Sequence, residues 1–109
     1  MSKIFVAGPF NHPDDFIKKL RTDSIATYCV KLFNEGHVPV SALLCGLTFA
    51  EHGNLPTDTN TWENFSKVMV KGCDELHVLQ LEGWDLSSGV KLEIEEAKNL
   101  NIPIIYITL

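Results

Sequence analysis

Short apolar runs alternate along this chain with segments of helical periodicity. The runs cover residues 3–7, 37–40, 75–81 and 103–107, and glycine, proline or polar residues bound them. Runs of this length and composition predict buried strands. Between them, apolar side chains recur at intervals of three and four residues, which predicts helices. This alternation favours an α/β fold with a parallel sheet.

The first predicted helix follows the turn Gly8-Pro9 and runs to Glu35. Residues 11–15 offer cap and first-turn side chains, and Gly36 stands where a C-terminal cap is expected. The apolar stripe of this helix consists of Ile25, Tyr28, Cys29, Leu32 and Phe33. The second strand contains Pro39, which is tolerated best at the edge of a sheet.

The middle of the chain carries the weakest pattern. Residues 43–49 could form a short helix, but residues 53–58 are rich in turn formers, so we expect a long functional loop between residues 41 and 60. Further helices are predicted over residues 62–71 and from about Ser88 to Leu100.

These elements predict one domain over residues 1–109. Right-handed crossovers between parallel strands give the strand order 2-1-3-4, with the switch point between the first and third strands. We therefore expect a single-domain, flavodoxin-like (Rossmann-like) three-layer sandwich. The loops after Ala7 and Leu81 should face each other, and ligands bind at such an edge.

Composition narrows the classes of partner. At 109 residues and 45% hydrophobic content, the chain is sized for one core. The formal charge of −5, without a Lys/Arg cluster, argues against a nucleic-acid polymer as partner. No apolar run approaches the roughly 20 residues that span a bilayer, so no membrane partner is expected. A small-molecule ligand fits this composition better.

Cysteine usage and the first residues bear on the cellular compartment. Cys29, Cys45 and Cys73 are odd in number and lack CxxC spacing, which predicts buried, reduced thiols. The chain passes from Met1 directly into a strand, without the apolar core of a signal peptide. Both observations predict a cytoplasmic protein.

Residues 83–93 carry the strongest candidate chemistry, because they join the third strand to a helix. Ser87, Ser88 and Gly89 offer hydroxyls and a backbone N–H at a helix N-terminus, where anions bind, although serine there is also a common helix cap. Glu93 should point back toward this turn, or belong with its acidic neighbours to a solvated helix face. Asp85 is either a turn residue or an acceptor for a sugar hydroxyl.

Other candidates lie outside that stretch. Gly8, Pro9 and Phe10 end the first strand, where a ligand would approach the backbone closely. Arg21 could neutralise a phosphate or form a surface ion pair. Trp62 and Trp84 could each stack on a base or pack in a core, and Trp84 is the better candidate for stacking because it lies inside residues 83–93. The four histidines share no metal-ligand spacing, so we expect no metal and no cofactor.

The pattern Ser87-x-Gly89-x-x-x-Glu93-x-x-x-Ala97 occurs together with three further segments that matter for comparison with known families. They are residues 3–10, KIFVAGPF, residues 36–41, GHVPVS, and residues 73–85, CDELHVLQLEGWD. In this order and spacing they resemble the nucleoside 2-deoxyribosyltransferase-like superfamily, and its small bacterial and phage members in particular.

The resemblance implies a reaction at an N-glycosidic bond. Glu93 matches the glutamate that attacks C1′ of a 2-deoxynucleoside or its 5′-monophosphate and forms a covalent glycosyl ester. Ser87, Ser88 and Gly89 match the part of the motif that holds sugar hydroxyls or the 5′-phosphate. The resemblance also implies a homo-oligomer, for which Tyr28, Phe49 and Trp62 are candidate contacts.

Two features depart from the superfamily pattern. Its transferases carry an aspartate on the middle helix that handles the base, whereas residues 64–67 read NFSK. The chain reaches Leu109 within the last strand, so we do not expect a tail that completes a neighbour's site. We therefore expect either an enzyme that cleaves or exchanges the N-glycosidic bond or, alternatively, a non-catalytic nucleotide-binding module that acts as a sensor or sequestering protein.

Overall fold

Four parallel strands form the sheet of the computed structural model, which describes all 109 residues. The strands are β1 (Lys3–Ala7), β2 (Val38–Val40), β3 (Glu75–Leu79) and β4 (Ile104–Ile107). They lie in the order β2-β1-β3-β4. The predicted α/β class, the parallel sheet and the strand order are confirmed, and the arrangement is that of a flavodoxin-like sandwich.

The register places the most apolar strands in the centre of the sheet. Phe5 of β1 pairs with Val40 of β2 on one side and with Leu76 of β3 on the other, and Leu76 in turn pairs with Ile104 of β4. β2 lies at an edge, so the missing N–H of Pro39 is tolerated there, as predicted.

Each of the four helices begins at a side-chain cap. Asp14, Ser41, Asp58 and Ser87 accept hydrogen bonds from backbone N–H groups of the turn that follows them. These bonds satisfy donors that a helix start leaves free. The helices are α1 (Asp15–Asn34), α2 (Ala42–Gly53), α3 (Thr59–Val70) and α4 (Ser88–Asn99).

The helices cover both faces of the sheet. Because successive side chains of a strand point to opposite faces, Ile4 and Val6 pack with Ile25 and Leu32 of α1, while Phe5 packs on the opposite side. That opposite core also contains Val70 of α3 and Val90 and Ala97 of α4. The radius of gyration of 12.9 Å matches the roughly 13 Å of a compact domain of about 100 residues.

The prediction of a long loop between residues 41 and 60 is wrong. Most of this segment is the helix α2, which begins after the Ser41 cap and ends before Asn54 in the left-handed conformation. Ala42, Gly46 and Ala50 form its buried side at a spacing of four residues. Small residues at this spacing let the helix pack closely against its neighbours. Since α2 extends to Gly53 and α3 begins at Thr59, only a short connection remains between them.

Several side chains differ in exposure from the prediction. Phe33 is 69% exposed, because a residue that follows the buried Leu32 points about 100° away around the helix. Tyr28 is buried and cannot be a contact to a second subunit. All three thiols are free, but Cys45 is exposed, whereas Cys29 is half-buried and Cys73 is buried. No helix is both long and apolar enough to cross a membrane.

Candidate functional site

A cleft opens beside the carboxyl end of β1, between the N-terminal parts of α2, α3 and α4. Its volume of about 90 Å³ is several times the roughly 10–15 Å³ that one water needs. Seventeen residues line it, and seven of these are hydrophobic. Those that matter chemically are Asp58, Trp62, Ser66, Ser87, Gly89 and Glu93.

Glu93 is the buried carboxyl group of the cleft. It lies on the second turn of α4 and shares the inner side of that helix with Val90 and Ala97, so the helix period directs it inward. Only 8% of its surface is exposed. Burial raises the pKa of Glu93 to about 8, and a hydrogen bond with the Ser66 side chain opposes that rise. Glu93 is therefore mostly a neutral carboxylic acid at pH 7.

Ser87 and Gly89 line the cleft beside Glu93 at the start of α4. The Ser87 Oγ caps the helix by accepting from the Val90 N–H at 3.2 Å. A Cβ atom at Gly89 would meet nothing closer than the Ser87 Oγ at 3.9 Å, so space is open there. These two residues could contact a ligand that reaches Glu93.

Ser88 is not among the residues that line the cleft. Its Oγ lies 2.6 Å from the Oγ1 of Thr59, the first residue of α3. This hydrogen bond joins the N-termini of α3 and α4 at the mouth of the cleft. Ser88 thus connects two helices, and its predicted contact with a ligand stays a prediction.

Asp58 is a second carboxyl group of the cleft that sequence reasoning missed. As the cap of α3, it accepts from the Thr61 N–H at 3.2 Å and from the Thr61 Oγ1 at 2.6 Å. These bonds lower the pKa of Asp58, which is exposed. Aspartate three residues before a threonine, at the start of an apolar-periodic segment, is a signal for such a cap. The cleft therefore holds one ionised and one neutral carboxyl group.

Trp62 provides the aromatic wall of the cleft. Its Nε1 donates to the Pro56 carbonyl at 2.8 Å, and its ring packs edge-on against Phe65 at a centroid distance of 5.4 Å. The ring also lies directly over Gly46 of α2, where an added Cβ would come within 3.3 Å. Packing on two helices and the bond to Pro56 hold the indole in place.

Trp84, which the sequence favoured for stacking on a base, lies outside the cleft. It belongs to a short 3₁₀ turn, Trp84–Leu86, and its ring packs on Tyr106 of β4 at 5.5 Å. Asp85 of the same turn is exposed and lines neither the cleft nor the groove beside it. Neither side chain therefore lines the cleft that contains Glu93.

The end of β1 contributes to the cleft through Gly8 and Phe10, while Pro9 lines the neighbouring groove. A Cβ atom on Gly8 would lie 2.8 Å from the Ile25 Cδ1. Close packing between β1 and α1 thus explains the glycine without a ligand.

Arg21 connects the loops after β1 and β3. Its guanidinium donates to the carbonyl oxygens of Asn11 at 2.8 Å and Glu82 at 2.7 Å, with a longer contact to that of Phe10 at 3.4 Å. None of the five ion pairs involves Arg21. The two loops face each other, as predicted from the strand order.

A second groove lies beside these loops, with a volume of about 280 Å³. We call it the Arg21 groove, and its residues are Pro9, Asn11, Arg21, Gly83, Leu86, Ser87 and Ser88. Ser87 lines both the groove and the cleft, so the two adjoin at the start of α4.

The histidine buried in the core has hydrogen-bond partners on both ring nitrogens. The Nδ1 of His77 lies 2.7 Å from the Tyr28 hydroxyl, and its Nε2 lies 2.8 Å from the Glu75 Oε1. No group of three His, Cys, Asp or Glu side chains has the geometry of a metal site.

Comparison with known proteins places the chain in a family. No curated protein matches the sequence significantly. A family model described as a domain of unknown function, DUF1937, matches residues 2–108, which is nearly the whole chain. The sheet, the cleft and the Glu93 helix all lie within that match, and the chain belongs to the DUF1937 family.

Proposed function

We propose that this protein binds a nucleoside or nucleoside 5′-monophosphate and cleaves or exchanges its N-glycosidic bond, with Glu93 as the group that captures C1′. The observation that carries the proposal is a buried carboxyl group in a cleft at the ligand-binding edge of the sheet. A carboxyl group beside C1′ can trap an oxocarbenium-like centre as a glycosyl ester.

The walls of the cleft suit the two halves of such a ligand. Trp62 offers an aromatic face for a base, since stacking tolerates any base. Ser87 and Gly89 offer a hydroxyl and a backbone N–H near the sugar. A 5′-phosphate could extend from the sugar into the Arg21 groove, where the guanidinium and the start of α4 favour negative charge.

The resemblance to the nucleoside 2-deoxyribosyltransferase-like superfamily supports the same proposal. Ser87, Gly89 and Glu93, which match its motif, lie together in one cleft. The middle helix supplies Ser66 there in place of an aspartate.

The protonation state of Glu93 favours a second candidate function. A carboxylic acid that is neutral at pH 7 is a poor nucleophile, but it can donate a hydrogen bond to a bound base or sugar. This observation favours a nucleotide-binding module without turnover, acting as a sensor or sequestering protein.

Chromatography of the purified protein with nucleosides and their monophosphates separates the two candidates. Catalysis predicts free base over many turnovers from at least one compound, and Glu93→Gln should abolish its release while retaining ligand affinity. Glu95→Gln, an exposed change on the same helix, is the control and should keep full activity. Saturable binding without product by the wild type would leave only the binding module.

Two wider features complete the proposal. A homo-oligomer would cover the exposed apolar side chains of α2 and α3, such as Phe49 and Val68.

Three free thiols, one of them exposed, fit the reducing cytoplasm as the site of action.

A further inference from the structure

The walls of the cleft contain acidic side chains and no basic one. Among its 17 lining residues, only Asp58 and Glu93 are ionisable, and none is Lys, Arg or His. Arg21 lies in the adjoining groove instead, where it donates to carbonyl oxygens of the loops after β1 and β3. The cleft therefore offers a carboxylate without a basic side chain to balance its charge.

Asp58 keeps the capacity to contact a cation. One of its carboxylate oxygens accepts from the Thr61 N–H at 3.2 Å, and the other accepts from the Thr61 hydroxyl at 2.6 Å. A carboxylate has about four acceptor sites, so roughly two remain free. None of the five ion pairs includes Asp58, and Lys67 on the same helix pairs with Glu63. The negative charge of this exposed side chain is thus available to a ligand.

Trp62 lies beside Asp58 on the same wall of the cleft. The two residues are four positions apart at the start of α3, a spacing that places side chains next to each other. The bond to the Pro56 carbonyl and the edge-on contact with Phe65 fix the indole ring. Tryptophan attracts a cation to its face more strongly than the other aromatic side chains do. A carboxylate next to such a face favours a flat ring that carries positive charge.

We propose that the cleft selects N-glycosides whose base ring carries a fixed positive charge, such as a pyridinium, with the ring on Trp62 and its charge beside Asp58. This inference rests on the proposed function and names its substrate class. It accounts for the lack of an aspartate among residues 64–67, because a cationic base leaves as a neutral molecule and needs no proton. A 5′-phosphate on the same molecule would lie near Arg21, so the two charges of the ligand would match the cleft and the groove.

The reaction of such a substrate balances with water as the only other reactant. Glu93 releases its proton to water and attacks C1′ through a carboxylate oxygen. The C1′–N bond breaks, and its electron pair stays on the ring nitrogen, which becomes neutral. A negative carboxylate and a positive base thus give a neutral ester and a neutral base, which suits a buried carboxyl group. Water then attacks C1′, gives its hydroxyl to the sugar and its second proton to Glu93.

The test compares nicotinamide riboside, whose pyridinium ring is positive, with its dihydro form, which has nearly the same outline and no charge. The wild type should bind the cation about 2- to 30-fold more tightly, the usual range for a cation on an aromatic face. Asp58→Asn should lower this preference about 2- to 5-fold, as expected for an exposed ion pair, and leave the affinity for the dihydro form unchanged. Asparagine caps a helix as well as aspartate does, so α3 should keep its first turn.

Asp14→Asn is the matched control for the change in charge. It makes the same substitution at the cap of α1, and Asp14 does not line the cleft. Equal affinities of the wild type for the two forms, or equal losses of preference in the two variants, would overturn the inference. The proposed function would then stand on the cleavage of uncharged nucleosides.

Chromatography of the same mixtures, with a protein-free sample for spontaneous decay, tests the reaction separately from binding. The wild type should release nicotinamide from the cation over many turnovers, and Glu93→Gln should not. Preferential binding of the cation without release would support the charge selectivity and overturn the proposed cleavage. A wild type that binds neither form of nicotinamide riboside nor any uncharged nucleoside would overturn the proposed function and this inference with it.

Discussion

The guanidinium of Arg21 donates to the Glu82 carbonyl oxygen across 61 residues of sequence, at 2.7 Å. Gly83 makes this approach possible, since a Cβ there would lie 2.7 Å from the Arg21 Nη2. The same guanidinium holds the Asn11 carbonyl oxygen. One side chain thus sets the spacing of the two loops at the carboxyl edge of the central strands.

Arg21→Ala should therefore lower stability. Losing charge-assisted hydrogen bonds to two loops should decrease the free energy of unfolding by about 1 to 3 kcal/mol. Urea denaturation followed by circular dichroism measures the change. The control Lys19→Ala removes an exposed ion pair with Asp23 and should change stability by less than about 0.5 kcal/mol. Equal, small effects of both variants would show that Arg21 does not hold the loops.

Glu93→Gln should stabilise the protein at neutral pH, because burial raises the pKa of Glu93 from 4.5 to about 8. Between these values the folded state binds more protons than the unfolded state. The free energy of unfolding then falls by about 1.4 kcal/mol per pH unit as the pH rises. Below pH 4.5 this stability is fully present, and above about 8 it is lost.

Glutamine has a similar shape and does not titrate, so the advantage of Glu93→Gln should reach roughly 3 kcal/mol at pH 7. Urea denaturation from pH 4 to 9 measures it, with Glu95→Gln as the exposed control. A difference between wild type and Glu93→Gln that does not vary with pH would contradict a buried, titrating Glu93.

Trp62→Ala should weaken nucleoside binding about 5- to 160-fold, the equivalent of roughly 1–3 kcal/mol for one base stacked on an aromatic ring. Trp84→Ala is the matched control, because Trp84 packs on Tyr106 outside the cleft. It should reduce stability while affinity stays within about twofold. Titration calorimetry at a temperature where both variants are folded compares them, and the reverse order of effects would assign stacking to Trp84.

A nucleoside 5′-monophosphate should bind more tightly than the corresponding nucleoside. Backbone N–H groups at the start of α4 and the Arg21 guanidinium favour a negative group in the Arg21 groove. The preference should shrink as salt increases, because counter-ions screen exposed charge. Equal affinities at low ionic strength would indicate that Ser87 and Gly89 hold sugar hydroxyls instead.

The protein should sediment at micromolar concentration as a homo-oligomer, most simply a dimer of twice the 12.2 kDa chain mass. Phe49 is 51% exposed beside Phe65 on a surface rich in apolar side chains. Phe49→Glu should shift the population toward monomer, whereas Phe16→Glu, which changes an exposed phenylalanine of α1, should not. A wild-type monomer at this concentration would exclude the prediction.

Sequence alone determined the order of elements and the topology of the sheet. Apolar runs separated by helical periods specify parallel strands with crossovers, and the handedness of crossovers leaves few arrangements. Residue spacing also directed Glu93 toward the interior with Val90 and Ala97. Residue spacing did not predict the long helix within residues 41–60. The buried side of α2 consists of Ala42, Gly46 and Ala50, whose small side chains give a weak apolar pattern.

Only the tertiary structure decided the chemistry of the cleft. The pKa of Glu93 depends on the burial of its carboxyl group in the folded chain and on a hydroxyl from Ser66, 27 positions earlier in the sequence. Likewise, Trp62 lines the cleft and Trp84 does not, although the sequence favoured Trp84 for stacking on a base. Local periodicity fixes which way a side chain leaves its own helix or strand. Desolvation and contacts depend on segments far apart in sequence, which meet only when the helices pack on the sheet.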